Sequence, residues 1–333
     1  MRKRTTIDDI AKALGINKST VSRAMNNPSL VSTEMREKIE RMCRKMNYIP
    51  NSIAKSLASS STNSIVLLIP SFSNDVFKEV IDGVKEICDQ YNYNLLISDF
   101  SYTPLEEQRI IEKYLQQNVD GFILTETFHT QKTKDLLQMA NIPAVELMNI
   151  YENPNFLANI GINQYVAAEY LIKFLIEEKQ RKHIALCSSW LDSRALLRKM
   201  AWEDVLAHYQ LSLDRHFTLK ERTSFVSGAE ALIEILYQWP DTDAIFFVND
   251  DIAAGAIMEC SRRGIKVGKD LDIVGFNDLD FAKVLNPSLT TISTPRFEIG
   301  KLGAQTLIQF LSGQTPEHQT IELPFKFMRR QSA

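Results

Sequence analysis

From Ser64 onward, apolar runs of strand length alternate with longer amphipathic stretches, and that alternation limits the chain to few folds. The runs SIVLLIPS, NLLISDF, DGFILT and PAVEL are separated by helical patterns over 75–91, 105–118 and 132–140. A second series follows: helical 163–179, HIALCSS, helical 194–209 and 224–238, AIFFVND, helical 252–263 and DIVGF. Strands that are apolar throughout are covered on both faces, as in parallel βαβ units. Two such series predict two doubly wound lobes, and 333 residues exceed what one core comfortably spans. Ligands of such sheets bind beyond the carboxyl ends of the strands. The polar residues there are Ser71, Ser73, Thr125 to Thr127, Asp192 to Arg194, Asn249, Asp250, Asn277 and Asp278. Singly, each is more often a helix N-cap; the set as a whole points to one small ligand between the lobes.

Residues 5–26, TTIDDIAKALGINKSTVSRAMN, read differently. Ile7, Ile10, Ala11 and Leu14 recur at helical spacing, with Thr6 and Asp9 in capping-box positions. Gly15 permits a sharp turn, and Asn17 is suited to cap a second helix, Lys18 to Met25. That helix buries Val21 and presents Lys18, Ser19, Ser22 and Arg23. A helix-turn-helix with hydrogen-bonding groups on its second helix can read a DNA major groove. Charge supports this over an inert helical hairpin. Residues 1–60 hold twelve Lys or Arg against five Asp or Glu, a net of +7, whereas the whole chain is −3, so the remainder carries −10. A basic head on an acidic body is a nucleic-acid footprint.

A third helix is expected over 33–46, with Met35, Ile39 and Met42 inward. In YIPNSIAKSLASSSTNS, Pro50 stops that helix, a short segment spans Asn51–Ala58, and the Ser-rich run to Ser64 is a linker. With only Ile53, Ala54 and Leu57 to bury, the segment is too short for a stable isolated helix; it is expected to become helical on a partner. Cys43, Cys88, Cys187 and Cys260 are widely spaced, so no metal site is expected and a reducing compartment is. No apolar h-region follows MRKRTT and no apolar run spans a bilayer. A cytoplasmic protein without cofactors is expected.

The stretches IDDIAKALGINKSTVSRAMN, MNYIPNSIAKSLA, FFVNDDIAAGAI, DIVGFND and PSLTTIST, closing on RRQS, resemble the lactose-repressor family of bacterial transcription regulators along essentially the whole chain. PSFSNDVF, NVDGFILTETFHT and IPAVELM look most like its gluconate and idonate repressors. The resemblance implies a small all-α helix-turn-helix headpiece plus an α/β two-lobed, doubly wound core resembling type I periplasmic binding proteins. Its expected domains are a headpiece at 1–50, hinge helix and linker at 51–63, and an effector-binding and dimerisation core at 64–333. The N-lobe would comprise 64–161 plus 293–319, and the C-lobe 162–292 plus 320–333.

By the same resemblance, Lys18, Ser19 and Arg23 approach base edges, while Thr6, Ser22, Asn26 and Tyr48 contact phosphates. Asn51, Ala54 and Leu57 belong to a hinge helix that enters the minor groove, with Leu57 the wedge. Lys18 and Ser19 stand where the lactose repressor has Tyr and Gln, so the lactose operator is not its expected site. The effector set is Phe77, Glu126, Asp192, Arg194, Arg198, Thr223, Asn249 and Asn277. Arg198 matches the family's ligand-gripping arginine, a group suited to carboxylates. Uncharged Asn277 tolerates an anion, and small Thr223 suits an open-chain polyol acid.

The expected function is a sequence-specific transcription repressor acting as a homodimer on a palindromic operator, released by a sugar acid such as gluconate. With Ala333 shortly after TIELPFKF, a leucine heptad helix joining dimers is not expected, and a dimer is. The alternatives are a two-lobed binding protein of the transport-receptor type, or a corepressor-dependent regulator with a non-sugar effector. An enzyme is not expected: there is no G-x-G-x-x-G after the first strand, no G-x-x-x-x-G-K-[ST] and no G-x-S-x-G, and the five histidines form no motif.

Overall fold

The computed structural model describes residues 5–48, 61–150, 156–189, 193–315 and 320–333. The chain forms two compact units, Met1–Thr62 and Asn63–Ala333. The expected hinge residues Asn51, Ala54 and Leu57, and Asp192 of the expected effector set, lie outside the described residues.

The first unit holds α1 (Ile7–Leu14), α2 (Lys18–Asn26) and α3 (Thr33–Lys45). Thr6 and Asp9 form the expected capping box: Asp9 N–H donates to Thr6 Oγ1 at 3.3 Å, and Thr6 N–H to Asp9 Oδ2 at 2.8 Å. Gly15 ends α1 at φ 65°, where a Cβ would be strained. Asn17 departs from expectation. Its side chain makes no cap, and its carbonyl instead accepts from Thr20 N–H at 2.9 Å. Ile10, Ala11, Val21, Ala24 and Ile39 form the core, with Met35, Met42 and Tyr48 packed against it.

The second unit has two sheets. In the N-lobe, β1 (Ser64–Ile69), β2 (Asn94–Asp99), β3 (Gly121–Leu124), β4 (Ala144–Asn149), β5 (Ala158–Ile162) and the distant β11 (Thr320–Glu322) run in the order β11-β5-β4-β3-β1-β2. All five pairings are parallel. The covering helices are α4 (Lys78–Gln90), α5 (Pro104–Leu115), α6 (Gln131–Ala140) and α11 (Arg296–Leu311). In the C-lobe, β6 (Ile184–Ser189), β7 (His216–Leu219), β8 (Ala244–Phe247) and β9 (Asp272–Val274) are ordered β7-β6-β8-β9, again parallel. Its helices are α7 (Gln164–Glu177), α8 (Ser193–His208), α9 (Phe225–Gln238) and α10 (Asp250–Arg263). Bridges Val274–Thr290 and Asn277–Ser293 place β10 (Thr291–Ser293) beside β9, and β10 pairs antiparallel with β12 (Lys326–Met328).

Two strands differ from expectation. β5, ANIGI, is interrupted by Asn and Gly, and β7, HFTL, is a short, half-exposed edge, so neither reads as an apolar run. The lobe boundary differs too. Residues 320–322, expected in the C-lobe, pair with β5 and complete the N-lobe sheet. The chain therefore crosses between lobes three times: between Ile162 and Gln164, between Ser293 and Arg296, and between Glu322 and Lys326.

In the N-lobe, α4 and α11 cross at two glycines. A Cβ on Gly83 would collide with the Phe297 carbonyl, and one on Gly300 with the Val80 carbonyl. The two backbones are in direct contact there.

Candidate functional site

On the headpiece, α2 exposes Lys18, Ser19 and Arg23, while Ser22 is half-buried. The Lys18 ammonium lies 3.3 Å from Asp8. Both side chains are exposed, so the pair is weak and readily exchanged for a phosphate or base edge. Thr6 donates its hydroxyl hydrogen to Asp9 Oδ2 at 2.7 Å, so its first role is capping α1. Tyr48 is half-buried against the headpiece core. Asn26 closes α2.

In the core, Arg198 is 3% exposed and lies on α8. Its Nε and Nη2 donate to Gln164 Oε1 at 3.1 and 2.7 Å, and its Nη1 to the Val248 carbonyl and Asn249 Oδ1 at 2.5 and 3.2 Å. The guanidinium is stacked 3.7 Å from the Phe276 ring centroid. Asn249 precedes α10, yet its side chain makes no cap; its Oδ1 also accepts from Asn277 Nδ2 at 3.1 Å. Arg198, Asn249 and Asn277 thus form one hydrogen-bonded chain. Asn277 and Asp278 have φ of 110° and 55°, a strained corner of the kind found at binding sites.

Around this chain the lobes are joined by polar contacts. Glu126 accepts from Ser193 Oγ, and Arg194 Nη1 donates to the Thr125 carbonyl at 2.7 Å while lying over the Phe77 ring. Asn149 Nδ2 donates to Ser193 Oγ at 3.2 Å, and Gln164 Nε2 to the Met148 carbonyl at 2.8 Å. Arg296, the first residue of α11, donates to the Asn277 carbonyl and pairs with Glu79 at 3.0 Å.

Ser193 belongs to the Asp192 to Arg194 set after the strand, whereas Asn149, Gln164, Phe276 and Arg296 were not singled out in the sequence. Arg296 left a signal, because a cation in the first turn opposes the helix dipole and needs a reason to be there. Asn149 was concealed because β4 runs two residues beyond PAVEL.

Thr223 is not brought to Arg198. It hydrogen-bonds Asp251 and lines an inter-lobe cavity of about 640 Å³ with Ser73, Asn74 and Asp75 on one side and Glu221, Arg222, Ser224, Phe225 and Asp251 on the other. Arg194, Arg198 and Arg296 do not line it.

Asp250 proves structural. Fully buried, it accepts from Thr291 Oγ1 at 2.6 Å and from Leu279 N–H at 2.7 Å, and so braces the corner carrying Asn277. Burial pushes its carboxyl up to about 6 despite these bonds. A folded-state value above the ordinary 3.8 means the folded core binds the extra proton between those pH values. Asp250 therefore adds stability as pH falls from 7 toward 4. Asp250→Asn, whose amide can still accept from Leu279 and donate to Thr291, should flatten that slope. It should raise stability at pH 7 by about 3 kcal/mol, read from urea unfolding at pH 5, 6 and 7.

Residues 6–51 match the bacterial regulatory proteins of the lacI family, and residues 172–333 match the periplasmic binding protein-like domain. The HTH-type transcriptional regulator GntR of Escherichia coli (strain K12) is 33% identical over 324 residues, covering 97% of each chain. The regulator IdnR of the same strain is 32% identical over 323 residues, again 97% of each. A LacI-family transcriptional regulator from Silicibacter pomeroyi superposes with a TM-score of 0.92 at 26% identity, covering 98% of this chain and 99% of that one.

Proposed function

Since this chain belongs to the lacI family of bacterial regulatory proteins and is a DNA-binding transcription regulator, we propose that it is a cytoplasmic, homodimeric repressor of a palindromic operator, induced by a sugar acid. On this reading Lys18, Ser19 and Arg23 meet base edges. Thr6, Ser22, Asn26 and Tyr48 fix register on phosphates, and the segment bearing Asn51, Ala54 and Leu57 enters the minor groove.

The observation that carries the effector class is charge. Arg194, Arg198 and Arg296 are each at least 96% buried at the lobe seam. Buried guanidinium groups at a ligand position select a carboxylate, which they can hold bidentately. Nearby, Asn149 Oδ1, Asn277 Oδ1 and Thr294 Oγ1 are buried without a hydrogen-bond partner. Such groups call for one, and the hydroxyls of an open-chain acid supply it. Phe77, Glu126, Asp192 and Asn249 complete the set.

The mechanism is a competition for the seam. A ligand that takes over the partners of Arg194 and Arg296 changes the cost of holding the lobes together, and so the spacing of the headpieces in a dimer. It can act only through its different affinity for the two states, and reversing a 1:99 equilibrium takes about 5.5 kcal/mol of difference.

A second reading has its own observation. The cavity beside Thr223 carries the carboxylates of Asp75, Glu221 and Asp251, which suit the hydroxyls of a neutral polyol. Thermal unfolding of the full chain with gluconate, related sugar acids and matched neutral sugars separates the two. A specific ligand at 100 times its Kd adds about 2.7 kcal/mol. Stabilisation by an acid but not by its neutral counterpart is the expected result; stabilisation by neutral sugars alone moves the site to the Thr223 cavity. Operator binding with the active ligand then gives the sign, and tighter binding would replace induction with corepression.

A further inference from the structure

His129, in the loop between β3 and α6, is buried inside the N-lobe. Its Nδ1 lies 2.7 Å from Glu107 Oε2 on α5, and its Nε2 lies 2.8 Å from Glu146 Oε1 on β4. All three side chains are at most 1% exposed. Neutral imidazole has one N–H, yet here both ring nitrogens face carboxylate oxygens. The cluster must therefore hold one further proton, on the ring or on a carboxyl. Asn159 of β5 donates to Glu146 Oε2 at 3.2 Å, and the Phe156 ring closes on the imidazole with centroids 5.0 Å apart. The charged groups around the ring are Glu107, Glu146 and, along its own loop, Glu126, whose charge reaches Glu107. Burial disfavours the imidazolium, but the two hydrogen bonds and two negative charges outweigh it and raise its pKa to about 9.

The loop this ring belongs to carries the inter-lobe contacts. Thr125 Oγ1 ties its near end to the Leu68 carbonyl at 2.9 Å, and His129 ties its far end. Between them, the Thr125 carbonyl receives Arg194 and Glu126 receives Ser193. Phe128, the loop's large apolar residue, is 55% exposed and supplies little anchoring. We propose that His129 is a positioning residue: clamped by Glu107 and Glu146, it holds the 125–130 loop where Thr125 and Glu126 latch the C-lobe. The N-lobe interior thereby sets lobe closure independently of which effector binds.

The test is amide hydrogen exchange at residues 193–198 of the full chain, without ligand, corrected for intrinsic rates. His129→Gln and Glu126→Ala should each lower protection there about tenfold. The double variant should be no worse than His129→Gln alone, because the displaced loop has already lost the Glu126 contact. Single effects that multiply, or a His129→Gln variant with 193–198 unchanged, would overturn the proposal. Glu107→Gln guards against a variant that does not fold, since its amide oxygen still accepts from Nδ1–H. With one charge fewer, His129 should lose its proton at lower pH, so the fall in protection at 193–198 should come at lower pH than in wild type, where it comes near pH 9. A pH profile identical to wild type would equally overturn it.

Discussion

Replacing Arg198 with alanine should lower the stability of the two-lobed core by about 2–5 kcal/mol and abolish its response to effector. The guanidinium serves Gln164, the Val248 carbonyl and Asn249, and it covers the face of Phe276. Truncation strands at least two buried acceptors, Gln164 Oε1 and the Val248 carbonyl, each costing about 1–3 kcal/mol when left unpaired. Arg198→Lys separates the two losses. It keeps a positive charge but lacks the planar fork that spans three acceptors. Lysine should restore part of the stability in urea unfolding and none of the ligand-induced shift. A full ligand shift in either variant would remove Arg198 from the effector site.

The second large effect is expected at the α4–α11 crossing. Gly300→Ala should destabilise the core by about 1–3 kcal/mol, the usual cost of overpacking. In isolation alanine would favour the helix by about 1 kcal/mol over glycine, so the sign of the result tests the packing directly. The added methyl would strike the Val80 main chain, which cannot move aside as a side-chain tip can. Gly83→Ala presses the same two helices apart from the other side, against Phe297. Once either variant has opened the crossing, the second should cost less than it does alone. Urea midpoints of the two singles and the double measure this, and a stabilised Gly300→Ala would contradict the packing described.

Local physics made parts of this architecture readable in advance. Thr6 and Asp9 act within one turn of each other and Gly15 closes the same short helix, so the start and stop of α1 could be read without knowing any neighbour. The buried strands were readable because IVLLI, GFIL and AIFF carry no polar side chain. β5 was not, since Asn159 and Gly161 answer to tertiary demands: Asn159 donates to Glu146, and a Cβ at Gly161 would strike β4. The site divides the same way. Asn249 and Asn277 follow strand ends, so topology alone brings them together. Glu107, His129 and Glu146 come from a helix, a loop and a strand, and only the folded sheet makes them neighbours. Thr223 was paired with Arg198 by resemblance, but the contacts already filling the seam leave it on a separate wall.

The return of the chain to β5 has a consequence for synthesis. As the polypeptide emerges from the ribosome, the first five strands of the N-lobe sheet appear early, but β5 keeps an open edge until Thr320–Glu322 follows. By then all of α7 to α10 has been made. Neither lobe is a contiguous stretch of gene, and the nascent sheet carries an unpaired strand through nearly half of translation. Open edges of this kind invite pairing with other chains. The three residues that close this one are therefore a late seal against misassembly, and cutting the gene between the lobes would leave neither half complete.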